Sequence, residues 1–120
     1  MRREPIRNHR DLTVWQAAMQ VRRDVRSILL SISKQDRFEI GAQVARAALS
    51  VPSNIAEGHG RLERRDYKQF LSFARGSAGE LDTQLLAIAE DYPNLAARIE
   101  KTLSLLTEVV SMITAIMKKL

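Results

Sequence analysis

The stretch RAALSVPSNIAEGHGR, residues 46–61, combines a regular apolar spacing with residues that helix interiors usually avoid. Val44, Ala48, Val51 and Ile55 are separated by four, three and four residues, the spacing of one helix face. Pro52 nevertheless removes a backbone donor, and Ser50, Ser53 and Asn54 compete for backbone hydrogen bonds. The spacing predicts a helix over about 36–57 whose seam is Gly41, Val44, Ala48, Val51 and Ile55, with Phe38 near its entry. Asp36 and Glu39 have the form of a capping box with Asp in place of Ser or Thr. Gly58, His59 and Gly60 close the helix, since glycine readily takes the left-handed closing conformation. Pro52 either bends this helix or breaks it.

Three further helices follow from the same period. The first, about 12–33, has the seam Val14, Ala18, Val21, Val25, Ile28 and Ile32, widened by Trp15 and Leu29, with Asp11 as its expected cap. The third, about 63–90, carries Tyr67, Phe70, Ala74, Ser77, Leu81, Leu85 and Ile88, with Leu71 and Ala78 beside them. Pro93 turns the chain into the last helix, about 95–118, seamed by Ile99, Leu103, Leu106, Val110, Ile113 and Met117. Short connections make neighbours antiparallel, so the expected fold is all-α, an up-down-up-down four-helix bundle over 11–120. Residues 1–10 form a basic arm.

The last helix has a second apolar seam, Leu105, Val109, Met112 and Ile116, about 100° from the first. A lone bundle needs only one, so the surplus predicts an oligomer interface at these four residues.

On the second helix Arg46, Ser50, Ser53 and Glu57 share a stripe about 200° from the apolar seam, with Asn54 beside it. Such a stripe is either solvated surface or, given its short side chains, a place where another backbone comes close. The segment RGSAGEL, residues 75–81, repeats the theme, because Gly76 and Gly79 each cost about 1 kcal/mol relative to alanine in a helix. Together they predict a hydrogen-bonded polar network between the second and third helices, with Arg75 and Glu80 facing Arg46, Asn54 and Glu57.

Charge and composition narrow the function classes. The 120 residues include 45% hydrophobic and 28% charged side chains, as in a single globular domain. No apolar run approaches the ~20 residues of a membrane span, and the N-terminus lacks the apolar core of a secretion signal. With no cysteine, a cytoplasmic setting is expected. A formal charge of +5 and a pI near 10.1 favour polyanionic partners. Arg61, Arg64, Arg65 and Lys68 cluster before and inside the third helix, and Arg2, Arg3, Arg7 and Arg10 lie on the arm. Glu63 and Asp66 offset part of the first cluster, which taken alone also reads as ordinary solvated surface.

The segments DLTVWQAA (11–18), QVARAALSVPSNIAEGHGR (43–61) and FLSFARGSAGELDTQL (70–85) resemble the four-helix-bundle family of proteins encoded within intervening sequences of 23S ribosomal RNA genes. The motif positions that match are Trp15, Gln43, Arg46, Pro52, Asn54, Glu57, Gly58, Arg75, Gly76, Ser77 and Glu80. The resemblance implies small bacterial cytosolic proteins that assemble as homopentameric rings without an assigned activity. A related bundle serves diversity-generating retroelements as a basic pentamer that binds reverse transcriptase and nucleic acid. Two departures are SKQD in place of the usual FP before the second helix, and Glu63 where a capping Ser is common.

Three function classes remain. A homo-oligomeric scaffold on RNA or a nucleoprotein agrees with the charge, and a protein adaptor using Trp15 as an anchor is the alternative. Catalysis has little support: the Glu-x-x-His pairs of di-iron bundles, a phosphate-cradling glycine loop and a cysteine nucleophile are all missing. His59 beside Glu57 and Glu63 offers at most a weak metal site, and His9 has no evident partner. No cofactor or metal is expected, although the polar motif leaves room for a small-ligand pocket.

Overall fold

A computed structural model describes residues 5–120, so Arg2 and Arg3 of the arm lie outside the described residues. Regular structure among those described is entirely helical, with four long helices: α1 (Thr13–Leu29), α2 (Ala42–His59), α3 (Arg64–Asp91) and α4 (Ala96–Lys119). Helix α1 packs on α2 and α4, and α3 packs on α2 and α4 from the other side, with α2 against α3 the most extensive contact. No helix among the described residues is long and apolar enough to cross a membrane.

The periods of α1 and α2 translate directly into core. Val14, Ala18, Val21, Val25, Ile28 and Ile32 are all buried, as are Gly41, Val44, Ala48, Val51 and Ile55. On α3 the buried line is Leu71, Ala74, Ala78, Leu81, Leu85 and Ile88, while Tyr67, Phe70 and Ser77 form its half-buried edge toward α2. Phe38 is 86% exposed and does not join the core.

Helix α4 departs from its expected orientation. Its buried line is Ile99, Thr102, Leu106, Val109 and Ile113. Leu103, Val110 and Met117 flank that line on one side, and Leu105, Met112 and Ile116 on the other, all half-buried against the core. The two seams are therefore the shoulders of one broad face. Val109 is 0% exposed and belongs to the chain's own core, so it drops out of the interface expected at Leu105, Val109, Met112 and Ile116. Leu105, Met112 and Ile116 are partly exposed and leave a narrow apolar shoulder.

The caps also differ from the sequence reading. Asp11 does not cap α1; its carboxylate accepts from the backbone N–H groups of Arg7 at 2.8 Å and Asn8 at 3.3 Å, closing a tight turn at His9–Asp11. The approach to α2 begins earlier than Asp36. The Ser33 hydroxyl accepts from the Asp36 N–H at 3.1 Å, opening a single turn, Lys34–Asp36, which passes through a π-helical turn, Arg37–Gly41, into α2. At the other end Gly60 has φ −78°, and its N–H bonds the Ala56 carbonyl, so no left-handed residue closes α2. Pro52 lies buried within a helix that runs on past it to His59, so it does not break α2.

Two ties fasten the far end of the molecule. The Tyr92 hydroxyl donates to Asp36 Oδ2 at 2.5 Å and accepts from the Ser33 N–H at 3.0 Å, joining the α1–α2 connection to the α3–α4 turn. Arg98 donates to the hydroxyls of Ser27 at 2.8 Å and Ser31 at 2.9 Å, holding the start of α4 on α1.

Candidate functional site

Small side chains bring α2 and α3 close enough for a short polar chain to bridge them. The hydroxyls of Ser50 and Ser77 share a hydrogen bond of 2.7 Å, and Asn54 Nδ2 donates to both the carbonyl and the hydroxyl of Ser50 at 2.9 Å. All three residues are half-buried, so part of the expected network exists and lies in the helix seam instead of on the far face.

The charged members behave differently. Arg46, Glu57, Arg75 and Glu80 are exposed, as is Ser53, and the only ion pair among the described residues joins Glu57 to Arg61 at 2.5 Å. Arg46 and Glu80 line one cleft between α2 and α3, of about 310 Å³, beyond ion-pair distance. Arg75 lies in another groove, with Gly76, Gly79 and Asp82 facing Leu106 and Thr107 of α4. Five residues separate Arg75 from Glu80, about 140° around a helix, so the two cannot share a partner. The expected buried network of paired charges is thus reduced to Ser50, Asn54 and Ser77.

The glycines divide in the same way. A Cβ on Gly58 would stand 2.9 Å from Phe70 Cβ and 3.1 Å from the Tyr67 carbonyl oxygen, so only glycine fits where α2 meets α3. Around Gly76 and Gly79 nothing approaches within 4 Å, which removes close packing inside the chain as their reason.

Against this geometry, the sequence profile described as 23S rRNA-intervening sequence protein matches residues 10–115. The chain belongs to that family. No curated protein matches its sequence.

In this 23S rRNA-intervening sequence protein family member, the basic cluster divides by engagement. Arg61 bonds Glu57, and its guanidinium lies 4.7 Å from the centre of the Phe70 ring, which fixes its position. Arg64, Arg65 and Lys68, on the first turns of α3, are exposed and form no ion pair among the described residues. Asp66 between them is half-buried. Arg7 and Arg10 are also exposed, on an arm whose last turn is docked: the His9 ring meets the edge of Trp15 at 5.2 Å, and Gln16 donates to the Arg10 carbonyl at 2.9 Å. His9 therefore has a partner that the sequence did not reveal. His59 sets its ring against Tyr67 at 5.9 Å, and burial pushes the Tyr67 phenol above its ordinary pKa of 10.0.

Large apolar side chains stand exposed outside α4. Leu30, Phe38, Ile40, Leu49, Phe73 and Leu86 are the large exposed apolar side chains of the helices and the α1–α2 connection. Among these, Leu49 lies within a quoted motif, directly before Ser50, but outside the period-based seam, and that exclusion was the available signal.

Proposed function

We propose that this protein is a non-enzymatic, cytoplasmic, homo-oligomeric scaffold that attracts the phosphate backbone of RNA, or of a nucleoprotein, to one end of an up-down-up-down bundle. Pairing of Ser50 with Ser77 and of Gly58 with Tyr67 and Phe70 supports opposite directions for α2 and α3. Contact of Arg98 with Ser27 and Ser31 supports the same for α1 and α4. In such a bundle the start of α1, the end of α2, the start of α3 and the end of α4 share one end. Arg7, Arg10, Arg61, Arg64, Arg65, Lys68, Lys118 and Lys119 then converge from four separate stretches of chain.

The observation that carries the reading is the exposure of Arg64, Arg65 and Lys68 without an ion pair among the described residues. Unpaired cations on rigid helix turns release counterions on meeting phosphates, and this favours binding without base recognition. Phe73, 49% exposed and edge-on to Phe70, is the exposed aromatic nearest this cluster among the described residues. Base stacking therefore has at most one platform, and backbone attraction dominates. The pentameric ring implied by the family resemblance would repeat the basic end around a common axis and multiply its attraction.

The competing reading, an adaptor for other proteins without nucleic acid, draws on the exposed Phe38 and Leu30. Affinity capture with and without nuclease separates the two. The scaffold reading expects RNA to be recovered with the wild-type chain, bound proteins to be released by nuclease, and both to be lost in Arg64→Glu/Arg65→Glu. Protein partners that persist after nuclease, with no RNA recovered, would overturn it.

A further inference from the structure

A groove of about 350 Å³ runs between α1 and α2, sharing Arg46 with the α2–α3 cleft. Its floor is the aliphatic surface of Leu29, Ala45 and Leu49, and its rim carries Arg22, Arg26 and Arg46. Leu49 is 47% exposed, and no carboxylate among the described residues lines the groove. Three arginines around an apolar trough repel one another and leave a leucine in water, which favours an occupant with the opposite pattern, apolar at its centre and acidic at its margins.

The same chain carries that pattern on α3. From Gly79 to Asp91 the helix holds Glu80, Asp82, Glu90 and Asp91 and no Lys or Arg. Leu86 is 49% exposed, and its neighbours four residues away on either side are Asp82 and Glu90. Positions four apart lie on one helix face, so the leucine is flanked along the axis by two carboxylates. Gly79, one turn before Thr83 and two before Leu86, has nothing within 4 Å, so another backbone can approach closely there. None of Arg22, Arg26, Arg46, Asp82 and Glu90 forms an ion pair among the described residues.

We infer that the α1–α2 groove receives the Asp82–Leu86–Glu90 ridge of α3 from a second copy of this chain. Leu86 of one copy covers Leu49 of the next, and the carboxylates meet the arginine rim. This rests on the homo-oligomer reading above and assigns its faces. Because groove and ridge are different surfaces, the contact is head-to-tail. Such contacts propagate until their rotation closes a ring. Helix α3 stands diagonally across the core from α1, so a copy can be engaged through groove and ridge at once.

The test is mass in solution by light scattering, with circular dichroism as a check that each variant is folded. Four proteins are compared: the wild type, Arg26→Glu/Arg46→Glu, Asp82→Lys/Glu90→Lys, and the quadruple variant with both reversals. The expected result is a multi-copy wild type, single copies for both double variants, and multi-copy assembly restored in the quadruple variant, whose groove and ridge are again complementary. A multi-copy wild type with double variants of unchanged mass overturns the face assignment and leaves the oligomer reading standing. A quadruple variant that stays single also overturns the pairing. A single-copy wild type overturns the oligomer reading itself.

Discussion

Gly58 on α2 and Phe70 on α3 approach so closely that a methyl group on the glycine would stand 2.9 Å from the Phe70 Cβ. The obstructing atoms include a Cβ and the Tyr67 carbonyl, neither of which is the free end of a flexible side chain. Gly58→Ala is therefore expected to destabilise the chain by about 1–3 kcal/mol through overpacking, despite alanine's better helix propensity. Thermal unfolding followed by circular dichroism checks this, and an unchanged or raised melting temperature would contradict it.

Gly76 and Gly79 give the opposite expectation with the same substitution. With nothing within 4 Å, alanine at either position is expected to stabilise the folded chain by about 0.5–1 kcal/mol. A destabilised Gly76→Ala or Gly79→Ala in dilute solution would show that these glycines pack within the chain after all.

Tyr92 links two connections that are distant in sequence, bonding Asp36 at 2.5 Å and Ser33 at 3.0 Å. Tyr92→Phe keeps the ring but leaves a half-buried carboxylate and a backbone N–H without this partner. A loss of about 1–3 kcal/mol in stability is expected. Amide exchange at Ser33 should accelerate with it, and unchanged protection there would contradict the tie.

Asp11 supplies a pH dependence. The backbone N–H groups of Arg7 and Asn8 bond its carboxylate and hold its pKa below the ordinary 3.8, aided by the nearby Arg7 and Arg10 charges. A depressed carboxyl pKa stabilises the folded turn above the unfolded value, and this contribution disappears as pH falls through the folded value. The His9–Trp15 contact should thus hold at neutral pH and loosen only well into the acid range, while Asp11→Asn weakens it at neutral pH and removes this acid transition. Nuclear magnetic resonance of the Arg7 and Asn8 amides reads this directly; shifts that titrate above 3.8 would contradict the assignment.

What the sequence disclosed followed from strict periods. All six seam residues of α1 are buried, because alternating steps of three and four leave one orientation for that helix. Helix α4 was ambiguous for the converse reason. Apolar residues at 103, 106, 110 and 113 and at 105, 109, 112 and 116 span a wide arc, and only packing against α1 and α3 fixes its centre at Leu106 and Val109. The cap between α1 and α2 was misplaced by three residues because Ser33 and Asp36 both have capping chemistry, and Tyr92, distant in sequence, engages Asp36.

The polar motif was half legible. Ser50 and Asn54 are four residues apart and meet on one face, which spacing alone reveals. Their joining to Ser77 is a tertiary event that depends on the close approach of α2 and α3 permitted by Gly58. Proximity in sequence misled for Arg75 and Glu80, which point into different grooves.

The central claim, attraction of phosphates to the basic end, is most directly tested by binding of a structured RNA hairpin at salt concentrations from about 50 to 200 mM. About three to four phosphate contacts predict a log–log slope of about −3 to −4, with Arg64→Glu/Arg65→Glu at least halving its magnitude. Absence of binding at the lowest salt, or binding whose strength ignores salt, would contradict the account.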